Sequence, residues 1–159
     1  MEGKRFRKIG LGGTFDILHK GHEEVLRLAF KLADRVALAL STDQLALEIK
    51  GRKVAPLEER KRRVEEFLRR EGLLERAELV IIDSRYGTSV EDPEMDALLL
   101  STDNEKFAEA INRERAKRGL KPLEIVVFRK VLAEDGKPIS ASRIRRGEID
   151  RQGKLKAKP

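Results

Sequence analysis

The sequence KIGLGGTFDILHKGH, residues 8–22, decides the fold class. Its first part, Lys8–Gly12, is a short apolar run that ends in glycine, as a buried first strand does. A glycine-rich loop follows, and from His22 to about Ala33 the apolar residues recur on one face of a helix. A buried strand joined by a loop to an amphipathic helix is the start of a β-α-β unit, so this stretch predicts a parallel sheet.

The same alternation continues along the chain. Further buried strands are predicted at residues 35–40, 78–83, 97–100 and 124–131. Helices are predicted from Pro56 to Gly72, from Ser101 to Arg118, and from a Ser140 cap to Gly147. Connections without regular structure are predicted at residues 42–53 and 84–94. We therefore expect one doubly wound, Rossmann-like α/β domain, a five-stranded parallel sheet with helices on both faces, whose ligands bind beyond the carboxyl ends of the strands.

Composition and charge limit the class of protein. The chain has 159 residues and no cysteine, which fits a single domain over residues 1–159 and excludes disulfides and thiolate metal sites. No apolar run approaches the roughly 20 residues that span a bilayer, so we expect a cytoplasmic protein without a membrane partner. Charged residues make up 40% of the chain, a composition typical of thermophile proteins. The net charge of +7 favours an anionic partner, and residues 151–159 are expected to form a basic, mobile tail.

The loop after the first strand carries the chain's two histidines, His19 and His22, three positions apart. This spacing lets both rings reach one point if the segment is helical or turn-like. Zinc is one use for such a pair, but a catalytic zinc wants three protein ligands, and Asp16 is the nearby candidate for the third. Donation to a phosphate fits better, because the glycines and the helix start also offer free N–H groups. We predict a phosphate site there and no metal ion held by the protein.

Familiar phosphate loops do not account for this loop. Phe15 stands where a dinucleotide-binding GxGxxG sequence would need its third glycine, and no GxxxxGK[ST] sequence occurs. GTFDILHKGH (residues 13–22) instead resembles the GTFD…HxGH signature of the nucleotidylyltransferase superfamily, which is related to the class I aminoacyl-tRNA synthetases. ISASRIR (residues 139–145) resembles the ISSTxxR form of that superfamily's second element, which closes over the triphosphate.

The resemblance implies which residues contact ATP. They are Gly12, Gly13, Thr14, Phe15, His19, His22, Ser140, Ser142 and Arg143. His22 would be the main stabiliser of the transition state, whereas Ser140, Ser142 and Arg143 would hold the outgoing pyrophosphate. Ala141 departs from the pattern, because the family usually has a hydroxyl there, so any contact must come from its neighbours or from backbone N–H groups.

Three further segments resemble the archaeal and eukaryotic phosphopantetheine adenylyltransferases. They are DSRYG (residues 83–87), INRERAKR (residues 111–118) and EDGKPIS (residues 134–140). The resemblance implies that ATP and 4′-phosphopantetheine react to give dephospho-coenzyme A and pyrophosphate. Such transfer is mostly positioning and charge stabilisation, with Mg²⁺ bound to ATP and held mainly by substrate oxygens and water.

In related enzymes, a lysine after the second strand binds the acceptor phosphate. Lys50 and Lys53 both qualify, and Lys50 is counted with His19 and His22 as a candidate catalytic residue. Arg113 and Arg115 either clamp the acceptor phosphate or lie on an exposed helix face. We take Lys50, Lys53 and Arg113 as the candidate acceptor-binding residues.

Two other functions compete with this one. Ser41-Thr42-Asp43 and the KGRK sequence at residues 50–53 also resemble glycerol-3-phosphate cytidylyltransferase, and the loop signature is shared with archaeal FAD synthetase, although neither is expected to carry the INRER sequence. A nucleic-acid-binding module would fit the net charge of +7, but the chain has no Trp and one Tyr to stack on bases. We therefore expect no nucleic-acid partner.

Overall fold

The computed structural model describes residues 5–156 and has a five-stranded sheet in the order β3-β2-β1-β4-β5. The strands are β1 (Phe6–Gly13), β2 (Ala33–Ser41), β3 (Ala77–Ile82), β4 (Ala97–Ser101) and β5 (Glu124–Phe128). Every neighbouring pair is parallel. Because β1 lies between β2 and β4, the strand order reverses at β1, and ligands of such sheets bind at this point. The predicted fold class is confirmed.

Five α-helices connect and follow these strands. They are α1 (Lys20–Leu32), α2 (Asp43–Lys50), α3 (Leu57–Arg70), α4 (Lys106–Lys117) and α5 (Ala141–Arg145). Short 3₁₀ turns occupy residues 74–76, 87–90 and 102–104. Within residues 5–156, no helix is long and apolar enough to cross a membrane.

The core has a layer on each face of the sheet. Alternate residues of β1 and β2 pack against Leu26 and Phe30 of α1 and against Phe67 and Leu68 of α3. On the opposite face, Ile111 of α4 packs with apolar residues of β2 and β4. A third, smaller cluster joins Ala133, Ile139 and Ile149 beside α5. Helices on both faces bury the sheet, as the continuous apolar strands predicted.

Several sequence predictions need correction, and one is the helix expected from Ser101, which begins at Lys106. Residues 42–53, expected to be an irregular connection, contain α2, which begins at a Thr42 cap whose hydroxyl accepts a hydrogen bond from the N–H of Leu45. Helix α1 begins at Lys20 rather than His22, so His19 is its N-cap residue and His22 lies in its first turn. Strand β5 ends at Phe128, three residues before the predicted end.

The C-terminal residues continue past α5 in contact with the domain. The Arg151 carbonyl accepts a hydrogen bond from the N–H of Lys20, and the Gly153 carbonyl accepts one from the N–H of Glu134. The part of the expected tail at residues 157–159 lies outside the described residues, so the mobility of the tail stays a prediction.

Candidate active site

The two histidines cap helix α1. The Nδ1 atom of His19 accepts hydrogen bonds from the N–H groups of Gly21 (3.0 Å) and His22 (3.4 Å). In return, Nδ1 of His22 accepts a hydrogen bond from the N–H of His19 at 3.3 Å. Because each Nδ1 is an acceptor, the proton of each neutral ring is assigned to Nε2. Each ring thus has one N–H donor, at Nε2, and the His22 ring also has a hydrogen-bond interaction with the backbone of Ile17.

Burial keeps both imidazoles neutral. Desolvation, followed by the charge of Lys50, lowers the pKa of His19 to about 4. Desolvation, then His19 and Lys50, lowers the pKa of His22 to about 3. The rings are stacked, with centroids 3.8 Å apart. At neutral pH the pair therefore presents two uncharged donors at a helix N-terminus.

Tight packing around the pair explains the small residues of the signature. A Cβ atom on Gly21 would lie 2.9 Å from Cε1 of His19, so only glycine leaves room for that ring. Phe15 has a φ of 52°, a left-handed conformation that is rare for a bulky residue, and its ring centroid lies 4.9 Å from that of His22. A Cβ on Gly13 would lie 3.0 Å from the Phe15 ring. The loop therefore has an unusual backbone held by close contacts.

The histidines open onto a cavity of about 520 Å³, here called the main cavity. Seven predicted ATP-contacting residues line it: Gly12, Gly13, Thr14, Phe15, His19, His22 and Ser140. Three cationic side chains join them, namely Lys50, Arg129 and Lys130. A glycine loop, a helix N-terminus and several cations around one space suit a polyphosphate.

A second cavity of about 270 Å³, here called the adjacent cavity, meets the main cavity at shared walls. Gly12, Gly13, Thr14 and Lys50 line both cavities. Most of the remaining wall is apolar, formed by residues such as Ile49, Ile82, Met95, Leu98 and Phe107, with Arg85 and Tyr86 among its polar members. The pair of cavities therefore offers a phosphate-binding space beside a largely apolar one.

The structure separates the two candidate lysines. Lys50, in the last turn of α2, lies at the junction of the cavities, and its pKa is lowered by desolvation and then by the charges of Arg52 and Lys130. Lys53 is exposed and lies instead in a shallow surface depression with Arg63 and Arg145. Of the two, Lys50 is the residue that the fold brings to the histidines.

Arg143 forms its contacts within its own chain segment. Its side chain donates to the carboxylates of Asp135 and Glu148 and to the Pro138 carbonyl, and it lies outside both cavities as the structure describes them. The pyrophosphate contact of Arg143 stays a prediction; in this structure its guanidinium forms hydrogen bonds within the segment around α5. Ser142 also lies outside the cavity walls, and its hydroxyl accepts a hydrogen bond from Arg52 at 3.3 Å. Ser140 and Ala141 reach the main cavity instead.

The two arginines of α4 have different surroundings. Arg113 is exposed and lines neither cavity among the described residues, so its contact with the acceptor stays a prediction. Arg115 is fully buried and donates to the carbonyls of Ser89, Asp92 and Lys121. Arg115 thus holds the loop that carries part of the adjacent cavity.

Sequence reasoning missed Arg129, Lys130 and Asn104, which line the main cavity just beyond the ends of β5 and β4. The rule that places ligands beyond the carboxyl ends of strands could have found them, had β5 not been extended to Val131. Asp16, the candidate third zinc ligand, is occupied by Arg52 and Arg145. Within residues 5–156, no group of three or more His, Asp or Glu side chains is arranged to hold a metal ion.

The chain is similar to known proteins in sequence and in fold. The chain matches a family model described as cytidylyltransferase-like over residues 11–147. It is 48% identical over 146 residues to the phosphopantetheine adenylyltransferase of Methanopyrus kandleri, covering 92% of each chain. It is 37% identical over 152 residues to a relative of the same name from Methanothermobacter thermautotrophicus, covering 96% of this chain and 91% of that one. A solved structure of a protein of unknown function from Archaeoglobus fulgidus superposes with a TM-score of 0.69 at 28% identity, over 84% of this chain and 99% of that one.

Proposed function

The chain belongs to the cytidylyltransferase-like family and, within it, to the phosphopantetheine adenylyltransferases, and on that premise we propose that it transfers the adenylyl group of ATP to 4′-phosphopantetheine. The products are dephospho-coenzyme A and pyrophosphate, which makes the reaction a step of coenzyme A synthesis. The observation that supports this assignment is the meeting of a cationic cavity and a largely apolar one at Thr14 and Lys50.

Each substrate suits one cavity. The main cavity, with the N-terminus of α1 and the cations Lys50, Arg129 and Lys130 in its wall, takes the triphosphate of ATP. The adjacent cavity takes the pantetheine arm against its apolar wall. The acceptor phosphate then lies at the shared wall beside Lys50, next to the α-phosphate of ATP.

The transfer needs no covalent intermediate on the protein. An oxygen of the acceptor phosphate attacks the α-phosphorus of ATP in line and forms the new P–O–P bond. The bond from the α-phosphorus to the oxygen shared with the β-phosphate breaks, and pyrophosphate leaves with that electron pair. Holding both phosphates at one junction supplies most of the rate enhancement of such a reaction.

His22 and His19 stabilise the charge that develops during this step. The reciprocal cap of α1 holds both rings in place, which orients their Nε2–H groups before phosphate binds. Lys50 neutralises charge on the acceptor phosphate. Its pKa is lowered first by desolvation and then by the charges of Arg52 and Lys130, and a bound anion would oppose both effects.

Mg²⁺ accompanies ATP in this proposal. The side chains of the main cavity fit an ion carried by the substrate, because both Asp16 oxygens are already occupied by arginines and Glu24 is an exposed residue at the cavity wall. When bound, Mg²⁺ reduces the negative charge of the triphosphate. The protein's part is to hold the phosphates with the loop of residues 12–14, the histidine pair and Lys50.

Substrate choice tests the proposal. We expect pyrophosphate release with ATP and 4′-phosphopantetheine, and dephospho-coenzyme A as the second product by mass spectrometry. CTP with glycerol-3-phosphate, and ATP with FMN, serve as matched pairs for the two related activities. Faster pyrophosphate release with either of those pairs would reject the proposed acceptor.

A further inference from the structure

Asp16 lies at the centre of a hydrogen-bond network that the reaction itself does not use. The residue is 2% exposed. Its Oδ1 accepts hydrogen bonds from Nη2 of Arg145 (2.7 Å) and from the N–H of Ala55 (2.9 Å). Its Oδ2 accepts hydrogen bonds from Nη1 of Arg52 (2.9 Å) and from Nε of Arg145 (2.9 Å). Each carboxylate oxygen therefore has two donors, which fills its acceptor capacity.

The donors come from two segments that are distant from Asp16 in the sequence. Arg52 and Ala55 belong to the connection that directly follows Lys50. Arg145 ends α5, whose first residues approach the main cavity. Asp16 itself stands between Phe15 and the histidine pair. One carboxylate thus joins the histidine loop to the connection after Lys50 and to the end of α5.

Asp16 itself lines the main cavity, but both of its oxygens already accept hydrogen bonds from the protein. Arg52 and Arg145 line neither cavity among the described residues. Arg52 also donates to the hydroxyl of Ser142 at 3.3 Å, which adds a second connection to α5. A saturated, buried carboxylate has no lone pair left for a metal ion or a substrate proton. Its effect on the reaction must pass through the segments that it holds.

We propose that Asp16 is a positioning residue that fixes the distances between the histidine loop, the Lys50 segment and the N-terminus of α5. This inference rests on the proposed function and deepens it by assigning the connection between the two separated signature segments. Without the carboxylate, the two arginines repel each other and α5 separates from the histidine loop. The phosphates would still bind to the individual segments, but the attacking oxygen and the α-phosphorus would no longer be aligned.

Asp16→Asn is the main test, with Asp96→Asn as its matched control. Asp96 also accepts hydrogen bonds from an arginine, a lysine and a backbone N–H, namely Arg7, Lys121 and the N–H of Arg7, but it precedes β4 at the opposite end of the sheet. We expect Asp16→Asn to lower kcat on the order of 10²-fold while the KM for ATP changes less than about threefold. Amide hydrogen exchange over residues 139–148 should become faster. Asp96→Asn should leave kcat and this exchange rate unchanged.

Variants that remove one connection at a time cover the case in which Asp16→Asn does not fold. Arg145→Gln and Arg52→Gln should each lower kcat, and adding Arg145→Gln to Asp16→Asn should cause little further loss, because both changes break the same connection. Wild-type kcat in Asp16→Asn, or independent effects of Asp16→Asn and Arg145→Gln, would overturn the proposal. So would a loss of kcat without faster exchange over residues 139–148. A wild-type protein that releases no pyrophosphate with 4′-phosphopantetheine would reject the proposed function, whereas the exchange comparison would still decide the role of Asp16.

Discussion

Lys8 at the amino end of the sheet and Lys50 at its carboxyl end have opposite charge environments. At the amino end, Lys8 forms ion pairs with Asp92 (2.7 Å) and Glu78 (3.0 Å). Desolvation lowers the pKa of Lys8, but the two carboxylates outweigh desolvation and raise that pKa above its ordinary value. At the carboxyl end, Lys50 has no ion pair within residues 5–156, and desolvation lowers its pKa. Desolvation also lowers the pKa values of His19 and His22.

This difference separates stability from function. A cation with a raised pKa is already compensated by its own protein, so it contributes to the folded state and has little attraction left for a ligand. The lowered pKa values of Lys50, His19 and His22 come first from desolvation, so these groups are buried where nearby carboxylates do not offset the loss of water. A triphosphate would supply an anion there. Carboxylates also pair with cations at the carboxyl end: Asp16 with Arg52 and Arg145, which line neither cavity, Asp43 with Arg60, and Asp103 with Lys130.

The sharpest test of this comparison is His22→Ala. We expect kcat to fall by about 10²–10³-fold, because a preorganised donor to developing charge is lost, while the KM for ATP changes far less. Steady-state release of pyrophosphate measures both parameters. A variant with near-normal kcat would remove His22 from the mechanism and would break the link between lowered pKa and function at this end of the sheet.

Lys50→Ala tests the junction of the two cavities, with Lys53→Ala as its neighbour control. We expect kcat/KM for 4′-phosphopantetheine to fall by about 10²-fold in Lys50→Ala, because the acceptor phosphate loses its cation. Lys53 is exposed outside both cavities, so its removal should change kcat/KM by less than about twofold. Equal losses in the two variants would mean that general positive charge, rather than the position of Lys50, attracts the acceptor.

The pH dependence of stability should show the neutral histidines directly. His19 has a pKa of about 4 in the folded chain against an ordinary value of 6.5, so the unfolded chain binds the proton first as pH falls. Stability is therefore lost as pH decreases from about 6.5 to about 4, by about 3 kcal/mol for a shift of this size. Urea unfolding of wild type and of His19→Asn measures it. The variant retains a cap acceptor and should show a shallower decline.

A parallel decline in wild type and His19→Asn would contradict this account.

The carboxylates affect stability over a different pH range. Asp16 keeps its charge at pH values well below its ordinary pKa because the hydrogen bonds from Arg145, Ala55 and Arg52 outweigh desolvation. Its contribution to stability is present above the unfolded pKa near 3.8 and is lost as pH falls further. The histidine and carboxylate contributions can therefore be separated along one pH series.

The sequence predicted those features that depend on local patterns. Continuous apolar runs located all five strands, and the Gly13–His22 signature located the histidines at a helix start. Helix α2 was missed because only Leu45 and Ala46 are buried in it, which leaves a weak periodicity among polar neighbours. The error at β5 arose because Val131 is again apolar after Arg129 and Lys130, although the pairing of β5 with β4 ends at Phe128.

Long-range partners could not be predicted in the same way. Asp16 is joined to Arg52 and Arg145 across 36 and 129 positions, and no local pattern indicates either contact. Arg143 and Arg145 are two residues apart on a short helix, so the side that each faces depends on how α5 packs. The structure places Arg143 against Asp135 and Arg145 against Asp16. Choosing between them required the tertiary fold.

The smallest effect on catalysis is expected from Lys8→Met, at the amino end. The change leaves Asp92 and Glu78 without their shared cation, and because both carboxylates are partly exposed to water, unfolding should become easier by only about 2 kcal/mol. For a chain of this size that corresponds to a fall in Tm of roughly 4–8 °C, measured by calorimetry.

Arg35→Met is the control, because Arg35 is a largely exposed partner of the same Glu78 and its loss should cost less than about 0.5 kcal/mol. Below the new Tm, kcat of Lys8→Met should stay within about twofold of wild type. A loss of kcat comparable to that of His22→Ala would mean that the amino-end ion pairs also set the geometry of the phosphate site, and the division between the two ends of the sheet would have to be abandoned.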